Sequence, residues 1–197
     1  MNSTDNHEAF ISRCKERIRQ DLKPRRVIHT QNVVSEALKM ADKYGADKEK
    51  AEIAALLHDI ARNLPVEEMN RHVREMGLDS HYLDNKNLAH SKVGVRIIQQ
   101  DFGIDDAEIL NAVSYHTTGR ENMTLLEKII FLADAIEPGR NYPSVGELRR
   151  LAYEDLDRAC AYSLKKTKDY VAMRGEYLDP DTGKALEYFE REINKHE

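Results

Sequence analysis

A histidine and an aspartate stand side by side inside a stretch of the chain that is otherwise apolar. The stretch covers residues 54–61, Ala-Ala-Leu-Leu-His-Asp-Ile-Ala, and the pair is His58 and Asp59. An ionised carboxylate in such surroundings is costly unless it is paired, hydrogen-bonded or bound to a metal. We expect the stretch to be helical, and neighbouring helix residues lie about 100° apart. Both side chains would then straddle one inward edge, where they could serve two adjacent metal ions.

Three other histidines and a second aspartate occur in similarly apolar surroundings. Asp134 falls within residues 129–136, which are apolar on nearly every side. A lone histidine on an apolar face is usually a hydrogen-bonded core residue, and a lone aspartate caps a helix or pairs with an arginine. Because so many occur together, metal ligation is the favoured interpretation. The candidate ligands are His29, His58, Asp59, His90, His116 and Asp134.

This set of donors suits several metals. Imidazole and carboxylate ligands without a thiolate are compatible with iron, manganese, nickel, cobalt or zinc. The types of ligand alone do not choose among them.

The order of these residues along the chain resembles the HD-domain superfamily of metal-dependent phosphohydrolases. In that superfamily the first histidine, the His-Asp pair and the last aspartate hold one metal. Where a second metal exists, the aspartate of the pair bridges and two intervening histidines bind it. By position, the resemblance implies two overlapping sites, namely His29, His58, Asp59 and Asp134, and then Asp59, His90 and His116. It also implies that Asp59, His90, His116 and Asp134 have catalytic roles. Arg26 matches the superfamily's frequent Arg-x-x-His opening.

Residues further along the chain resemble the YqeK-type subgroup of this superfamily, and the resemblance covers about residues 20 to 190. The segments that carry it are 116–123, 128–134, 136–140, 155–157 and 174–180. Members of the subgroup are described as cleaving diadenosine tetraphosphate symmetrically into two ADP with a di-iron centre. This implies that a metal-bridging hydroxide attacks the second phosphorus from one nucleoside, with ADP as the leaving group. One departure is Arg62, where lysine is expected, since arginine keeps the charge but changes the geometry.

A tetraphosphate also requires cations and a surface for the base. Arg140, just past the helix that bears Asp134, is the first candidate for phosphate, and Arg62 and Arg26 follow. A surface ion pair is the alternative for each arginine. For the base, the candidate is the loop of Arg174, Gly175, Glu176, Tyr177 and Leu178. Its glycine permits close backbone approach and its tyrosine can stack on a purine, although an ordinary structural loop has the same residues.

These residues must be positioned by helices, because helical periodicity dominates the chain and no β-alternation is present. We predict an all-α, single HD-type domain over residues 1–197. Its core covers about residues 20–140, and helices in about 144–197 pack on that core and contribute to the nucleotide pocket. The predicted helices cover about residues 10–22, 27–44, 48–62, 66–76, 88–102, 105–115, 124–136, 144–153, 156–173 and 184–193. Residues 174–183 are predicted to form a loop.

Composition limits the cellular setting and the partners. The 197 residues carry a formal net charge of −5, which disfavours a broad nucleic-acid or membrane-binding face. Short basic clusters, such as residues 23–26, are typical of solvated helix ends. The two distant cysteines, the lack of a signal-peptide pattern and the lack of a membrane-length apolar stretch favour the cytoplasm. The expected partner is a small nucleotide, and a homodimer is possible.

Three other functions remain open on the sequence alone. One is a different HD chemistry, as in a nucleotidase, a cyclic-dinucleotide phosphodiesterase or an alarmone hydrolase. Another is a regulatory nucleotide-binding module that does not turn over, which the filled ligand positions disfavour. The last is a helical interaction protein with coincidental histidines, which predicts no bound metal and no loss of stability on chelation.

Overall fold

The helical character predicted from the sequence is confirmed by the computed structural model, which describes residues 3–195. Within that range there are ten α-helices and no strand. Among these residues, no helix combines the length and the apolar content needed to cross a membrane. The helices are α1 (Ser3–Asp21), α2 (Pro24–Tyr44), α3 (Lys48–Leu57), α4 (Val66–Glu75), α5 (Lys86–Ile97), α6 (Ala107–Tyr115), α7 (Leu125–Ile136), α8 (Val145–Glu154), α9 (Leu156–Arg174) and α10 (Pro180–Asn194). A 3₁₀ turn, Ser80–Tyr82, precedes α5, and a π-helical turn, Ile98–Phe102, extends it.

Helix α3 lies at the centre of the fold. It packs against α1, α2, α6 and α7, and its residues Ala51, Ala54, Ala55 and Leu57 have no exposed surface. Its alanines let the neighbouring helices approach closely, since little side-chain volume separates the backbones. As a result, residues from several helices can converge at the C-terminal end of α3.

The last three helices pack on one side of this arrangement. Helices α8 and α9 contact α7, and α10 packs along α9. Met1, Asn2, His196 and Glu197 of the predicted 1–197 domain lie outside the described residues. The predicted boundary between a core and C-terminal helices stays a prediction.

The prediction of a continuous helix to about residue 62 is wrong, because α3 ends at Leu57. The ring Nδ1 of His58 lies 2.7 Å from the carbonyl oxygen of Ala55, and so competes for the acceptor that a helical Asp59 N–H would use. The following residues form tighter turns, in which Ile60 N donates to Leu57 O at 3.1 Å. His58 and Asp59 therefore stand on a turn after the helix, not on the inward edge of a longer helix.

Four helices, α1, α2, α5 and α10, begin earlier than predicted, and two of them begin with proline. Helix α10 starts at Pro180 instead of about residue 184, so the predicted loop 174–183 is too long. The Asp179 side chain accepts from Asp181 N at 2.9 Å, which caps the helix. Helix α2 likewise starts at Pro24. Proline suits the first helical position because its missing N–H would have no partner there.

Candidate metal centre

The six predicted ligands converge on one point of the fold. His29 belongs to α2, His90 to α5 and Asp134 to α7, whereas the other three follow helix ends. His58 and Asp59 come directly after α3, and His116 comes directly after α6. All four histidines and Asp59 are buried, and the Asp134 side chain is 22% exposed.

Asp59 lies between two pairs of histidines, and each of its carboxylate oxygens faces one pair. Its Oδ2 is 3.5 Å from His58 Nε2 and 3.8 Å from His29 Nε2. Its Oδ1 is 3.2 Å from His90 Nε2 and 3.9 Å from His116 Nε2. Two groups of ligand atoms therefore share one carboxylate, and within each group all the atoms lie within 4.8 Å of one another.

Asp134 adds a second carboxylate to the first of these groups. Its Oδ1 is 2.9 Å from His29 Nε2 and 4.0 Å from His58 Nε2. The structure thus places His29, His58 and Asp134 on the Oδ2 side of Asp59. His90 and His116 lie on the Oδ1 side, where their Nε2 atoms are 3.1 Å apart.

All four histidines have Nδ1 next to an oxygen that accepts hydrogen bonds. The contacts are His29 to Glu137 Oε1 at 3.1 Å, His58 to Ala55 O at 2.7 Å, His90 to Lys86 O at 3.0 Å and His116 to Val113 O at 2.7 Å. A carbonyl or carboxylate oxygen only accepts, so the ring proton of His29, His58 and His116 belongs on Nδ1. In the neutral form of these three rings, Nε2 then keeps its lone pair and directs it towards the centre. His90 Nδ1 also lies 3.2 Å from Arg62 Nη1, which only donates, so its two neighbours do not fix one tautomer.

These residues fit a bound metal cation. The Nε2 atoms of His29 and His58 are buried and have no hydrogen-bond partner. With the proton on Nδ1, both lone pairs face carboxylate oxygens, and two acceptors that meet in a buried site need a cation between them. Imidazole nitrogens and carboxylates are donors that divalent transition metals accept.

The charge states of the centre also suit metal binding. Burial would raise the pKa of Asp59, but His58 and His90 hold that pKa well below its usual value. Burial likewise opposes ionisation of Asp134, whose pKa is nevertheless lowered by His29 and Arg140. Burial and the neighbouring histidines lower the pKa of His116 to about 3. At neutral pH both carboxylates are ionised and His116 is neutral, and these are the forms that bind a metal. Burial would lower the pKa of His58, but Asp59 and Asp134 raise it, so a metal that binds Nε2 of His58 takes the place of a proton.

Glu137 contacts the ligand His29, and the sequence alone assigned it no role. It is 3% exposed, and besides contacting His29 it accepts from Asn32 Nδ2 at 2.9 Å and from Gly139 N at 2.5 Å. Burial would raise its pKa, but these hydrogen bonds hold the pKa below the usual value. Glu137 therefore fixes the ring orientation and tautomer of His29. The sequence signals are its position three residues after Asp134 and its place in segment 136–140, which carries the family resemblance.

Arg26 and Arg140 contact the ligand carboxylates directly. Arg26 Nη1 lies 2.8 Å from Asp59 Oδ2. Arg140 Nη2 lies 2.5 Å from Asp134 Oδ1, and its Nε donates to the Asp134 carbonyl at 2.7 Å. Both side chains are about one-third exposed, at 30% and 33%, so they reach the solvent at the edge of the centre.

Arg62 is engaged with the start of α5. Its guanidinium donates to Lys86 O at 3.2 Å and to Asn87 Oδ1 at 2.9 Å. Lys86 O is also the acceptor next to His90 Nδ1. Arg62 therefore supports the carbonyl that orients His90, and its predicted contact with phosphate stays a prediction.

A cleft of about 530 Å³ opens beside the centre. His29 and Glu137 line it on the inside, together with Ile28, Asn32, Asn63 and Gly139. Five cationic side chains complete the lining, namely Lys23, Arg25, Arg26, Arg62 and Arg140. A concave surface with this charge attracts polyanions. The basic cluster 23–26 is thus part of the cleft and not simply a solvated helix end.

The loop 174–178 does not line this cleft. Arg174 Nε pairs with Glu176 Oε1 at 2.5 Å, and Gly175 ends α9 with a φ of +63°. Tyr177 is half exposed, and its ring centroid lies 5.1 Å from that of His81. The predicted contact of Arg174, Gly175, Glu176, Tyr177 and Leu178 with a base stays a prediction.

A family model described as the HD domain matches residues 26–139. This is more than half of the chain and includes all six candidate ligands. The chain belongs to the HD-domain family. Membership in the HD family, together with the two histidine–aspartate groups, shows a centre that binds divalent metal.

Several relatives of this HD protein have been named. A Bacillus subtilis protein named "Bis(5'-nucleosyl)-tetraphosphatase, symmetrical" is 43% identical over 166 residues, which is 84% of this chain and 89% of the relative. A Staphylococcus aureus protein with the same name is 34% identical over 182 residues, which is 91% of this chain and 94% of the relative.

A solved structure shares the fold. It is the crystal structure of a predicted HD superfamily hydrolase involved in NAD metabolism from Clostridium acetobutylicum. The TM-score is 0.88 at 38% sequence identity, and the match covers 92% of this chain and 97% of that one. The likeness to this solved structure therefore extends beyond residues 26–139 into the C-terminal helices.

Proposed function

We propose that this chain is a metal-dependent hydrolase that cleaves dinucleoside tetraphosphates symmetrically, converting diadenosine tetraphosphate and water into two molecules of ADP. The observation that carries the proposal is the shared Asp59 carboxylate between two histidine pairs, beside a cleft lined by five cations. Relatives that cover most of this chain carry the name of that activity.

The residues that would hold the metals follow from the two ligand groups. His29, His58, Asp59 and Asp134 would hold one ion, and Asp59, His90 and His116 would hold a second. Bound divalent ions supply Lewis acidity towards phosphate oxygens and lower the pKa of water into the neutral range. No side-chain nucleophile is needed, so Asp59, His90, His116 and Asp134 act by holding this chemistry in place.

The cations at the edge of the centre would hold the polyphosphate. Arg26 and Arg140 reach both the ligand carboxylates and the solvent, so phosphate oxygens can approach the centre along their guanidinium groups. Arginine binds phosphate through two parallel N–H donors, which orients it as well as attracts it. Arg62 is a further candidate on the same cleft. The half-exposed ring of Tyr177 would contact a base on the side of loop 174–178.

The identity of the metal and the cellular setting are part of the same proposal. We favour iron, in a di-iron centre, over manganese, nickel, cobalt and zinc, because the resemblance to the YqeK-type subgroup implies it. A cytoplasmic location and a homodimer remain predictions. The two buried free thiols, Cys14 and Cys160, fit a reducing compartment.

The test is a product analysis with metal-loaded protein. The chain is stripped of metal, reloaded separately with iron, manganese, cobalt, nickel or zinc, and incubated with diadenosine tetraphosphate. Anion-exchange chromatography then resolves the nucleotides. We expect two ADP per substrate and at least a hundredfold loss of rate in Asp59→Ala and Asp134→Ala, on the order expected for a lost metal ligand. Asp42→Ala, an exposed carboxylate paired with Lys48, is the control.

Other outcomes would change the proposal in defined ways. ATP together with AMP would keep the hydrolase and overturn symmetric cleavage. No turnover with any metal, together with hydrolysis of a nucleoside monophosphate or a cyclic dinucleotide, would assign a different HD chemistry. Nucleotide binding without any turnover would indicate a regulatory module.

A further inference from the structure

Two exposed cations of the cleft stand at the start of α2 and have no partner for their charge. Lys23 directly precedes the helix, and Arg25 lies in its first turn. Among the residues that the structure describes, no carboxylate lies within ion-pair distance of Lys23 or Arg25. Arg26, the next residue, instead turns inward to Asp59 at 2.8 Å. The first turn of α2 therefore extends a line of positive charge from the metal centre outward.

The position of these cations is fixed by the backbone. Pro24 occupies the first helical position of α2, and its ring locks φ. The backbone N–H of Lys23 donates to Asn63 Oδ1 at 3.2 Å, which ties the start of α2 to the turn that follows α3. This hydrogen bond connects the two chain segments that line this part of the cleft. Each segment also contains a candidate metal ligand within a few residues, His29 in one and Asp59 in the other.

The same part of the cleft contains an exposed apolar side chain. Ile28 lines the cleft and is 59% exposed, although most large aliphatic side chains of the described residues are buried. Nucleic-acid bases pack on apolar as well as aromatic side chains. A nucleoside diphosphate needs cations for its phosphates and an apolar surface for its nucleoside. This part of the cleft offers both.

The symmetry of the substrate requires a second subsite. Cleavage at the middle of a dinucleoside tetraphosphate leaves two phosphates and one nucleoside on each side of the broken bond. The predicted base loop 174–178 does not line the cleft. If one nucleoside binds at that loop, as proposed above, the cleft is left for the other. A volume of about 530 Å³ falls in the range of small-ligand pockets.

We propose that Lys23, Arg25, Ile28 and Asn63 form a subsite for the second nucleoside diphosphate half of the substrate. The inference rests on the proposed function and extends it to the half of the substrate that the base loop does not contact. The cations bind the outer two phosphates, Ile28 packs against the base or ribose, and Asn63 offers its free amide N–H groups at the rim.

The first experiment compares kinetics on two substrates. Diadenosine tetraphosphate carries both nucleosides, whereas adenosine 5'-tetraphosphate carries four phosphates and one nucleoside. In Lys23→Ala/Arg25→Ala we expect KM to rise about tenfold on both substrates with kcat within about twofold, because two phosphate contacts are lost. In Ile28→Ser we expect KM to rise about threefold on diadenosine tetraphosphate alone, since only that substrate places a nucleoside there.

A matched variant controls for charge. Arg74→Ala/Lys165→Ala removes one arginine and one lysine that are exposed and do not line the cleft. It should leave both KM values unchanged. Metal content and thermal melting of every variant show that the centre and the fold are intact.

The second experiment measures ADP binding by calorimetry and does not depend on turnover. We expect two ADP per metal-loaded chain, of which Lys23→Ala/Arg25→Ala loses one.

If the wild type turns over diadenosine tetraphosphate but the cleft variants match the control, the subsite is refuted and the proposed function stands. If there is no turnover but one of two bound ADP is lost in the variant, the subsite stands and the proposed function fails. A single ADP that the variant retains refutes the subsite in either case.

Discussion

Glu137 determines which nitrogen of His29 faces the metal centre. Its carboxylate is buried and has three partners, which are His29 Nδ1, Asn32 Nδ2 and Gly139 N. An ionised acceptor at Nδ1 keeps the proton there and makes Nε2 a stronger ligand. Glu137 is not itself a candidate ligand, yet it controls how strongly His29 can bind a metal.

We expect Glu137→Gln to weaken metal binding about 10–100-fold, as removal of such a supporting partner does at other metal sites. The glutamine also places an NH₂ group against donors from Asn32 or Gly139, which costs about 1–3 kcal/mol of stability. Competition with a chromophoric chelator measures the affinity, and chemical denaturation measures the stability.

Glu36→Gln is the matched control for this prediction. Glu36 is a buried glutamate on the same helix as His29, and it accepts a hydrogen bond from Tyr153 at 2.7 Å. Its loss should reduce stability and leave the metal affinity unchanged. Equal metal affinity in Glu137→Gln and the wild type would show that Glu137 has only a structural role.

The sequence identifies residues of this centre when their type conflicts with their surroundings. Asp59 and Asp134 are noticeable because a charge inside an apolar run is costly. Glu137 is not, because it precedes Pro138 and Gly139 at a helix end, where a glutamate is ordinary. Which oxygen of Asp59 faces which histidine also depends on distances between helices, and no local pattern encodes those distances.

At the scale of elements, α3 and α6 end in the same way. Each helix stops one residue before a histidine, and that histidine directs Nδ1 to the carbonyl three residues earlier, at 2.7 Å in both cases. The imidazole N–H takes the place of the backbone N–H that would continue the helix, and this hydrogen bond fixes the orientation of the ring. Periodicity could not place this end of α3, because Ile60 and Ala61 continue the apolar pattern beyond it.

The turn after α7 depends on a glycine, and this gives a prediction at the same scale. A Cβ at Gly139 would lie 3.0 Å from both carboxylate oxygens of Glu137 and 3.4 Å from Asn32 Nδ2. Gly139→Ala must push Glu137 away from His29, so we expect a loss of about 1–3 kcal/mol, as in other overpacked sites. Metal affinity should fall with it.

Gly146→Ala provides the comparison for Gly139→Ala. Gly146 lies within α8, and a Cβ there meets nothing within 4 Å. Alanine should stabilise that helix by up to about 1 kcal/mol and leave metal affinity unchanged. Thermal melting and chelator competition measure both variants, and unchanged metal binding in Gly139→Ala would separate the turn from the orientation of His29.

At the scale of the whole molecule, the negative net charge of the chain gives no sign of the positive charge that is concentrated at the cleft. The chain carries −5 overall, yet five cations line one cleft. Periodicity correctly predicts the all-helical class, but composition averages over surfaces and so cannot show that residues 23–26 line the cleft beside the metal centre. The assembly of ligands from α2, α5 and α7 depends on how the helices pack around α3, which the family resemblance implied and periodicity did not.

Metal removal tests the whole fold at once, because the ligands tie together helices from residue 29 to residue 134. A metal that binds only the folded state stabilises it by about 2.7 kcal/mol at a hundredfold excess over Kd. For a domain of this size each kcal/mol raises Tm by about 2–4 °C, so we expect chelation to lower Tm by roughly 5–10 °C. The shift should be absent in Asp59→Ala, whose Tm should be the same with and without metal. Scanning calorimetry on chelated and reloaded protein measures both chains. An equal Tm for chelated and reloaded wild type would mean that the helices hold the six side chains together without help from the ions.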